Sequence, residues 1–172
     1  MSWPPDREGF TAVYQEHYAA VFRFALYMTG DRIEAGELTQ DVFVWLIHHA
    51  AEFDARRGSL AAFLAGVARK FLQRRQRNER RWLPLHESAV AHGDFTAGIE
   101  RDQEAGQLRT AIAALPERYR EAVVLCDLQG NSYDEAAAIM GCAVGTVRSR
   151  LHRARELLAA KMLRRREGQK CL

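Results

Sequence analysis

The sequence predicts an all-α protein of two small helical domains joined by a flexible linker. Three observations carry that expectation. Apolar residues recur at intervals of three and four along most of the chain, the spacing that lines one face of a helix. No stretch alternates apolar and polar residues between hairpin turns, as a half-buried strand would. Between residues 83 and 103 the periodicity lapses, where Pro84, Gly93 and Gly98 interrupt a segment with few apolar anchors. The expected division is a helical domain over 1–82, a linker over 83–103 and a second helical domain over 104–172.

The elements follow in order. Asp6 can cap a first helix, whose inward stripe is Phe10, Val13, Tyr14, Tyr18, Val21, Phe22, Ala25 and Leu26, and Gly30 ends it. A second helix runs from about Arg32 to Ala51, with Ile33, Leu38, Val42, Trp45, Leu46 and Ala50 inward. Phe53–Ser59 (FDARRGS) reads as a turn: Gly58 breaks the helix and Ser59 can cap the next. That third helix places Leu60, Phe63, Leu64, Val67, Ala68, Phe71 and Leu72 on one face, then becomes polar and Arg-rich over Gln73–Arg81. Beyond the linker, Gln103–Ala114 is one helix. Pro116 suits the first position of the next, which runs to Gln129 and closes at Gly130. Ser132 and Glu135 have the spacing of a capping box for a short helix ending at Met140–Gly141. The last helix runs from about Val144 to at least Leu163.

Composition bounds the function. Of 172 residues, 48% are hydrophobic and 27% charged, enough to bury a core. The net charge of +3 says little, but its distribution says more. Arg69–Arg81 carries Arg69, Lys70, Arg74, Arg75, Arg77, Arg80 and Arg81 against the lone acid Glu79. A second basic zone spans Arg148–Lys170, and the stretch between them is acidic. Two basic zones suggest two contact surfaces for a polyanion. Cys126, Cys142 and Cys171 are odd in number and lack ligand-like spacing, which fits a reduced, cytoplasmic setting. The N-terminus MSWPPDREGF has no apolar core for a leader, and runs such as Val42–Ile47 are too short to enter a membrane as a span.

The sharpest signal is Ser132–Leu158, SYDEAAAIMGCAVGTVRSRLHRARELL. A capped helix, a turn opening at Gly141 and a second helix make a helix-turn-helix. Ala137 is small where the helices must cross. Ile139, Val144, Val147 and Leu151 are spaced to pack the pair inward. Thr146, Arg148, Ser149, His152, Arg153 and Arg155 are left outside. Arg can make paired hydrogen bonds to guanine, and Ser or Thr can reach base edges or phosphate, so this face suits the major groove of duplex DNA.

The same string resembles region 4 of the bacterial RNA polymerase sigma factors, in particular the extracytoplasmic-function (ECF) group. Leu115–Arg118 (LPER), Ala122–Gly130 (AVVLCDLQG) and Val144–Arg155 (VGTVRSRLHRAR) carry the likeness. Leu38–Trp45 (LTQDVFVW), Phe53–Gly58 (FDARRG) and Phe63–Arg77 (FLAGVARKFLQRRQR) are similar to sigma region 2, and the likeness covers residues from about 8 to 165.

The resemblance implies a factor that binds core RNA polymerase and directs promoter-specific initiation, region 4 reading the upstream (−35) element and region 2 melting and capturing the downstream (−10) element. Arg148, Ser149, His152 and Arg153 fall where the family contacts the upstream element, with Tyr133 and Thr146 holding its backbone. Arg56, Arg57 and Ser59 fall in the loop that captures an unstacked base. Arg69, Lys70, Arg74, Arg75 and Arg77 fall on the helix beside the melted strand. Many relatives carry an acid near Arg74, so this group reads better as phosphate contacts than base contacts. Leu38, Gln40, Asp41 and Val44 fall on the polymerase-docking segment, and Gln40, Asp41 and Val44 can share an outer face. Cys126 stands where several relatives have a basic or polar residue, and Ala143 where many have Pro. An anti-sigma factor is an implied partner.

Two other functions are weighed on the residues. A regulator with a similar helix-turn-helix but no polymerase contact would not need the region 2 segments. An enzyme would need a site: His49 and Glu52 share a helix face, but His48 points elsewhere and no second pair completes a metal centre. No glycine-rich phosphate loop or nucleophile elbow is present. The expectation is a non-enzymatic factor without metal or cofactor.

Overall fold

The computed structural model describes residues 5–82 and 103–170, with side chains over 5–78 and 106–163. The expected linker therefore lies outside the described residues. Among those described, every regular element is helical: α1 (Arg7–Thr29), α2 (Arg32–His49), α3 (Leu60–Trp82), α4 (Gln103–Ala113), α5 (Glu117–Val123), α6 (Tyr133–Met140) and α7 (Val144–Lys170). Short 3₁₀ turns over Ala50–Glu52 and Ala55–Arg57 join α2 to α3.

The ends form where local chemistry puts them. Asp6 Oδ1 accepts from Gly9 N at 2.8 Å to open α1, and Gly30 closes it in the left-handed conformation, φ 77°. Asp31 Oδ1 accepts from Ile33 N and Glu34 N, both at 2.8 Å, to open α2. That cap corrects one expectation. Ile33 sits in the first turn beside its cap, faces solvent and is 76% exposed. Pro116 is the residue before α5 rather than its first helical residue, with ψ 139°. The helix it begins also does not run on regularly to Gln129: after Val123 it widens into a π turn over Val124–Leu128, a break the apolar spacing does not announce.

α1, α2 and α3 bury Val13, Val21, Phe24, Ala25, Leu38, Val42, Leu46, Leu64 and Ala68. Phe24 and Met28 are deep in this core, whereas Tyr14 and Tyr18, expected inward, are more than a third exposed. Their rings pair at 5.2 Å between centroids, and Tyr14 meets the edge of the Phe43 ring at 4.8 Å. The second set buries Ile112, Leu115, Val123, Leu125, Ala137, Met140, Val147, Leu151 and Ala154. The two sets do not stand apart. Apolar packing is continuous from one to the other, and polar links among the described residues tie them. Arg120 Nη1 donates to Tyr27 O at 3.0 Å, and Gln129 Nε2 to Ala20 O at 2.9 Å. Arg69 Nε donates to Glu121 Oε1, and Ser59 Oγ to Glu135 Oε1 at 2.7 Å.

Candidate nucleic-acid interface

The helix-turn-helix is built from its caps. Ser132 Oγ accepts from Glu135 N at 3.2 Å, while Glu135 Oε2 accepts from Ser132 N and Oγ, each at 3.0 Å. Both halves of the capping box are therefore made. Gly141 takes φ 63°, where a side chain would be strained, and turns the chain out of α6. Ala143 O then accepts from Thr146 N at 2.8 Å and starts α7. Val147, Leu151 and Ala154 face the core, which leaves Arg148, Ser149, His152 and Arg153 together on the exposed face.

That face is pre-ordered. The Arg148 guanidinium lies 5.9 Å from the centre of the exposed Tyr133 ring. Ser149 Oγ donates to Thr146 O at 3.0 Å, and Thr146 itself is half-buried. Glu156 collects Arg153 at 2.9 Å and His152 at 3.3 Å. The Arg153 hydrogen bond holds the Glu156 carboxyl below its usual range and, in return, pushes the Arg153 guanidinium up. Arg155, read from sequence as outward, is exposed and also paired: Nη2 and Nε donate to the two carboxylate oxygens of Asp127 at 2.7 and 3.2 Å. Asp127 belongs to the π turn, which sets it against α7.

The loop before α3 is ordered by Asp54, whose Oδ1 accepts from Arg56 N at 3.0 Å and Arg56 Nε at 3.1 Å. The side-chain bond from Arg56 is the main reason the Asp54 carboxyl sits below its usual range. The Arg56 side chain is nonetheless 92% exposed, and Arg57 is exposed as well. Ser59 Oγ accepts from Ala62 N at 3.1 Å, capping α3 as the sequence implies. Its hydroxyl hydrogen goes to Glu135. Loop, α3 and α6 enclose an open cleft of about 540 Å³, walled by Trp45, Phe53, Phe63 and Phe71, with Arg57 and Lys70 at its edge and Glu135 across from them.

The basic end of α3 is not a free strip. Arg69 is largely buried against Glu121. The Gln73 amide sits against both terminal nitrogens of Arg69, and accepts from them when its oxygen is the atom that faces them. Burial pushes the Glu121 carboxyl up, against the downward pull of Arg69. Arg75 bonds Asp41 at 2.6 Å and approaches Glu37 at 3.5 Å, which joins the basic end of α3 to the α2 face. Arg77 Nε donates to Gln73 O at 3.1 Å. Arg74 is exposed and Lys70 lines the cleft.

On α2, Gln40, Asp41 and Val44 are exposed together, with Ile47 one turn on. Leu38 is fully buried, so its side chain packs beneath that face and does not reach a partner. His49 is held within the helix, its Nδ1 2.8 Å from Trp45 O and its ring stacked on Trp45 at 4.4 Å. The sequence reading missed Glu121, Arg120 and Gln129, and saw in Glu135 only a cap. The buried Glu121 shares a helix with apolar neighbours, and nothing in its spacing names a partner fifty residues away.

Residues 13–82 match the family described as Sigma-70 region 2, and residues 105–158 the family described as Sigma-70, region 4. The chain is 32% identical to the ECF RNA polymerase sigma factor EcfG of Rhodopseudomonas palustris, covering 80% of this chain and 76% of that protein. It is 38% identical to the ECF RNA polymerase sigma factor SigC of Mycobacterium tuberculosis, covering 81% and 76%. The chain belongs to the ECF sigma factors of RNA polymerase.

Against a third relative, the ECF RNA polymerase sigma factor SigE of Mycolicibacterium smegmatis, identity is 32% over 84% of this chain, which spans 58% of that protein's length. The fold of this sigma factor is also that of the sigma factor RpoE from Bartonella quintana, solved in complex with the anti-sigma factor NepR: TM-score 0.71, 26% identity, 89% of this chain and 96% of the other covered. CnrH, solved in complex with the cytosolic domain of CnrY, shares the fold with TM-score 0.66, 24% identity and 91% and 89% coverage. Region 2 of this sigma factor therefore takes in most of α1 with α2 and α3, and its region 4 takes in α4 to the first half of α7.

Proposed function

We propose that this sigma factor binds core RNA polymerase and selects promoters with two separate hands. Region 4 reads the −35 element as duplex, through Arg148, Ser149, His152 and Arg153 on α7, while Tyr133 and Thr146 hold the backbone. Region 2 melts and captures the −10 element. Arg56, Arg57 and Ser59 bind an unstacked base at the loop, and Arg69, Lys70, Arg74, Arg75 and Arg77 follow the strand's phosphates. Gln40, Asp41 and Val44, packed over Leu38, dock on polymerase. The observation that carries this reading is the exposed face of α7, where those four side chains stand together on a capped helix-turn-helix.

Residues 1–82 and 104–172 act as the two domains and 83–103 as their connector. The chain supplies binding energy and selectivity; bond-making belongs to the polymerase, so no metal or cofactor enters. Among the described residues no helix is long and apolar enough to cross a membrane. The proposed place of action is the cytoplasm, because that is where the polymerase it would bind works. An anti-sigma factor is the proposed antagonist, by analogy with the complex of the Bartonella protein. The test is transcription by core polymerase plus this chain on fragmented genomic DNA, with the transcripts sequenced. Starts clustered below a shared two-part motif are expected. Starts no different from those of core polymerase alone would refute the proposal.

A further inference from the structure

The π turn sets an acid against the recognition helix. Val124 and Leu125 anchor the turn in the core, and Gln129 N closes it on Val124 O at 3.0 Å. Asn131 donates to Leu125 O from its backbone N–H at 3.0 Å and from Nδ2 at 2.9 Å. Asp127 therefore stands at a fixed place, and Arg155 reaches it from α7. Nε and Nη2 of Arg155 occupy both carboxylate oxygens, a fork that fixes the plane of the guanidinium. One edge of that plane faces Asp127. Nη1 lies on the other side and brings two N–H donors.

Arg155 follows Arg148 by nearly two helical turns, so the two share one side of α7. Tyr133 meets both. The Arg148 guanidinium lies 5.9 Å from the centre of its ring. Asp127 first, and the Tyr133 hydroxyl after it, hold the Arg155 guanidinium above its ordinary value. Tyr133 opens α6, the helix that crosses the DNA backbone when a helix-turn-helix docks. The Asp127–Arg155 pair is exposed, and such pairs add little to stability. An acid beside a DNA-facing helix also repels phosphate. Orientation of Arg155 is what this acid supplies.

We propose that Arg155 is a further backbone contact of region 4, donating from Nη1 to a phosphate of the upstream element beside Tyr133, and that Asp127 is the positioning residue that aims it. The inference rests on the reading of α7 as the groove-facing helix. A contact of this kind fixes register and carries no base information.

The sign of one substitution separates aiming from plain charge. Asp127→Asn removes a negative charge near a polyanion, which by itself tightens DNA binding. It also breaks the fork, because an amide has one oxygen and turns donors towards the guanidinium. Aiming therefore predicts weaker binding. The full chain is titrated, at several salt concentrations, with a labelled duplex that carries the upstream motif from the mapped starts and with a scrambled copy. Arg155→Ala should weaken both alike by about tenfold, the size of one charge-assisted hydrogen bond, and should release about one counterion fewer. Arg155→Lys keeps the charge without the fork. That variant and Asp127→Asn should each weaken both duplexes by about threefold. In an Arg155→Ala background, Asp127→Asn should weaken nothing further. Circular dichroism reports whether each variant is folded.

Tighter binding by Asp127→Asn overturns the positioning role, and so does full affinity in Arg155→Lys. Weakening confined to the motif would make Arg155 a base reader and overturns the backbone assignment. Arg148→Ala separates this contact from the reading beneath it. If Arg148→Ala weakens the motif while Arg155→Ala changes nothing, the Arg155 contact alone is refuted. If neither variant changes binding to either duplex, the groove assignment of α7 falls and the contact with it.

Discussion

Glu135 holds the ends of two helices with one carboxylate, and its acidity records that. The Ser59 hydroxyl, followed by the Ser132 backbone N–H, holds the carboxyl down to about 2 from an ordinary value of 4.5. A depressed acid stabilises the fold in full above the unfolded value, and the contribution is lost as pH falls through the folded one. The stability gap between the wild type and Glu135→Gln should therefore be flat from neutral pH to about 5, then close between about 4.5 and 2. Urea denaturation midpoints across that range measure it; a gap that stays constant to pH 2 would contradict the assignment. Cys126 is a contrasting case. Burial pushes its thiol up to about 11, so the half-buried side chain packs against the core as the protonated thiol. At the groove face, Arg148→Ala or Arg153→Ala should relax selectivity at one or two base pairs by about tenfold each. Binding selection from a randomised upstream element checks this, and uniform weakening across all sequences would reassign the residue to phosphate.

At the scale of elements, α3 has two partners rather than one. Its apolar face completes the region 2 core, and its Arg69 crosses to Glu121 on α5. Removing one member of a buried ion pair leaves the other charge unpaired in a poorly solvated site. Arg69→Ala should lower the unfolding free energy by about 3 kcal/mol, and Glu121→Gln, which keeps an acceptor for the less deeply buried Arg69, by clearly less. Chemical denaturation of both variants decides it; equal losses would mean that the charge of Glu121, and not its accepting oxygen, is what Arg69 needs. The π turn after α5 shows what periodicity hides. One extra residue in the turn rotates Asp127 towards Arg155 and Gln129 towards Ala20. Apolar spacing over Ala122–Leu128 reads as one continuous helix because the helical turns before it are regular. Helix ends were legible for the opposite reason: Asp6, Ser132, Gly30 and Gly141 act on backbone groups within a few residues of themselves.

The whole molecule carries its cations unequally. Arg56, Arg57 and Arg74 are exposed, whereas Arg69, Arg75 and Arg155 each hold an acid of another helix. Net charge and basic runs cannot distinguish these groups, because pairing depends on which helices meet. On the assigned strand path, Arg74→Ala should weaken single-strand binding without changing base preference and should flatten its salt dependence by the release of about one counterion fewer. Titrations at several salt concentrations measure the slope, and an altered base preference would show that Arg74 reads bases. Exposed α2 residues belong to this scale too. Gln40, Asp41 and Val44 could be placed on one outer face from their spacing, but the full burial of Leu38 depends on α1 and α3 closing over it.

The sequence by itself determined the all-helical class, the capped helix-turn-helix, the family and the grouping of Arg148, Ser149, His152 and Arg153 on one face. Each depends on interactions between residues at most a few turns apart, or on strings long enough to be specific. Only the tertiary structure decided that the two helical sets pack together, that Glu121 and Glu135 sit on region 2, and that Ser59 and Arg69, two of the expected strand contacts, are already engaged by them. Those facts depend on how α5 and α6 approach α3 across more than fifty residues of chain. Many approaches bury similar apolar area. The one adopted also places a carboxylate at the Arg69 guanidinium and another at the N-terminus of α3, contacts that no local pattern of residues encodes.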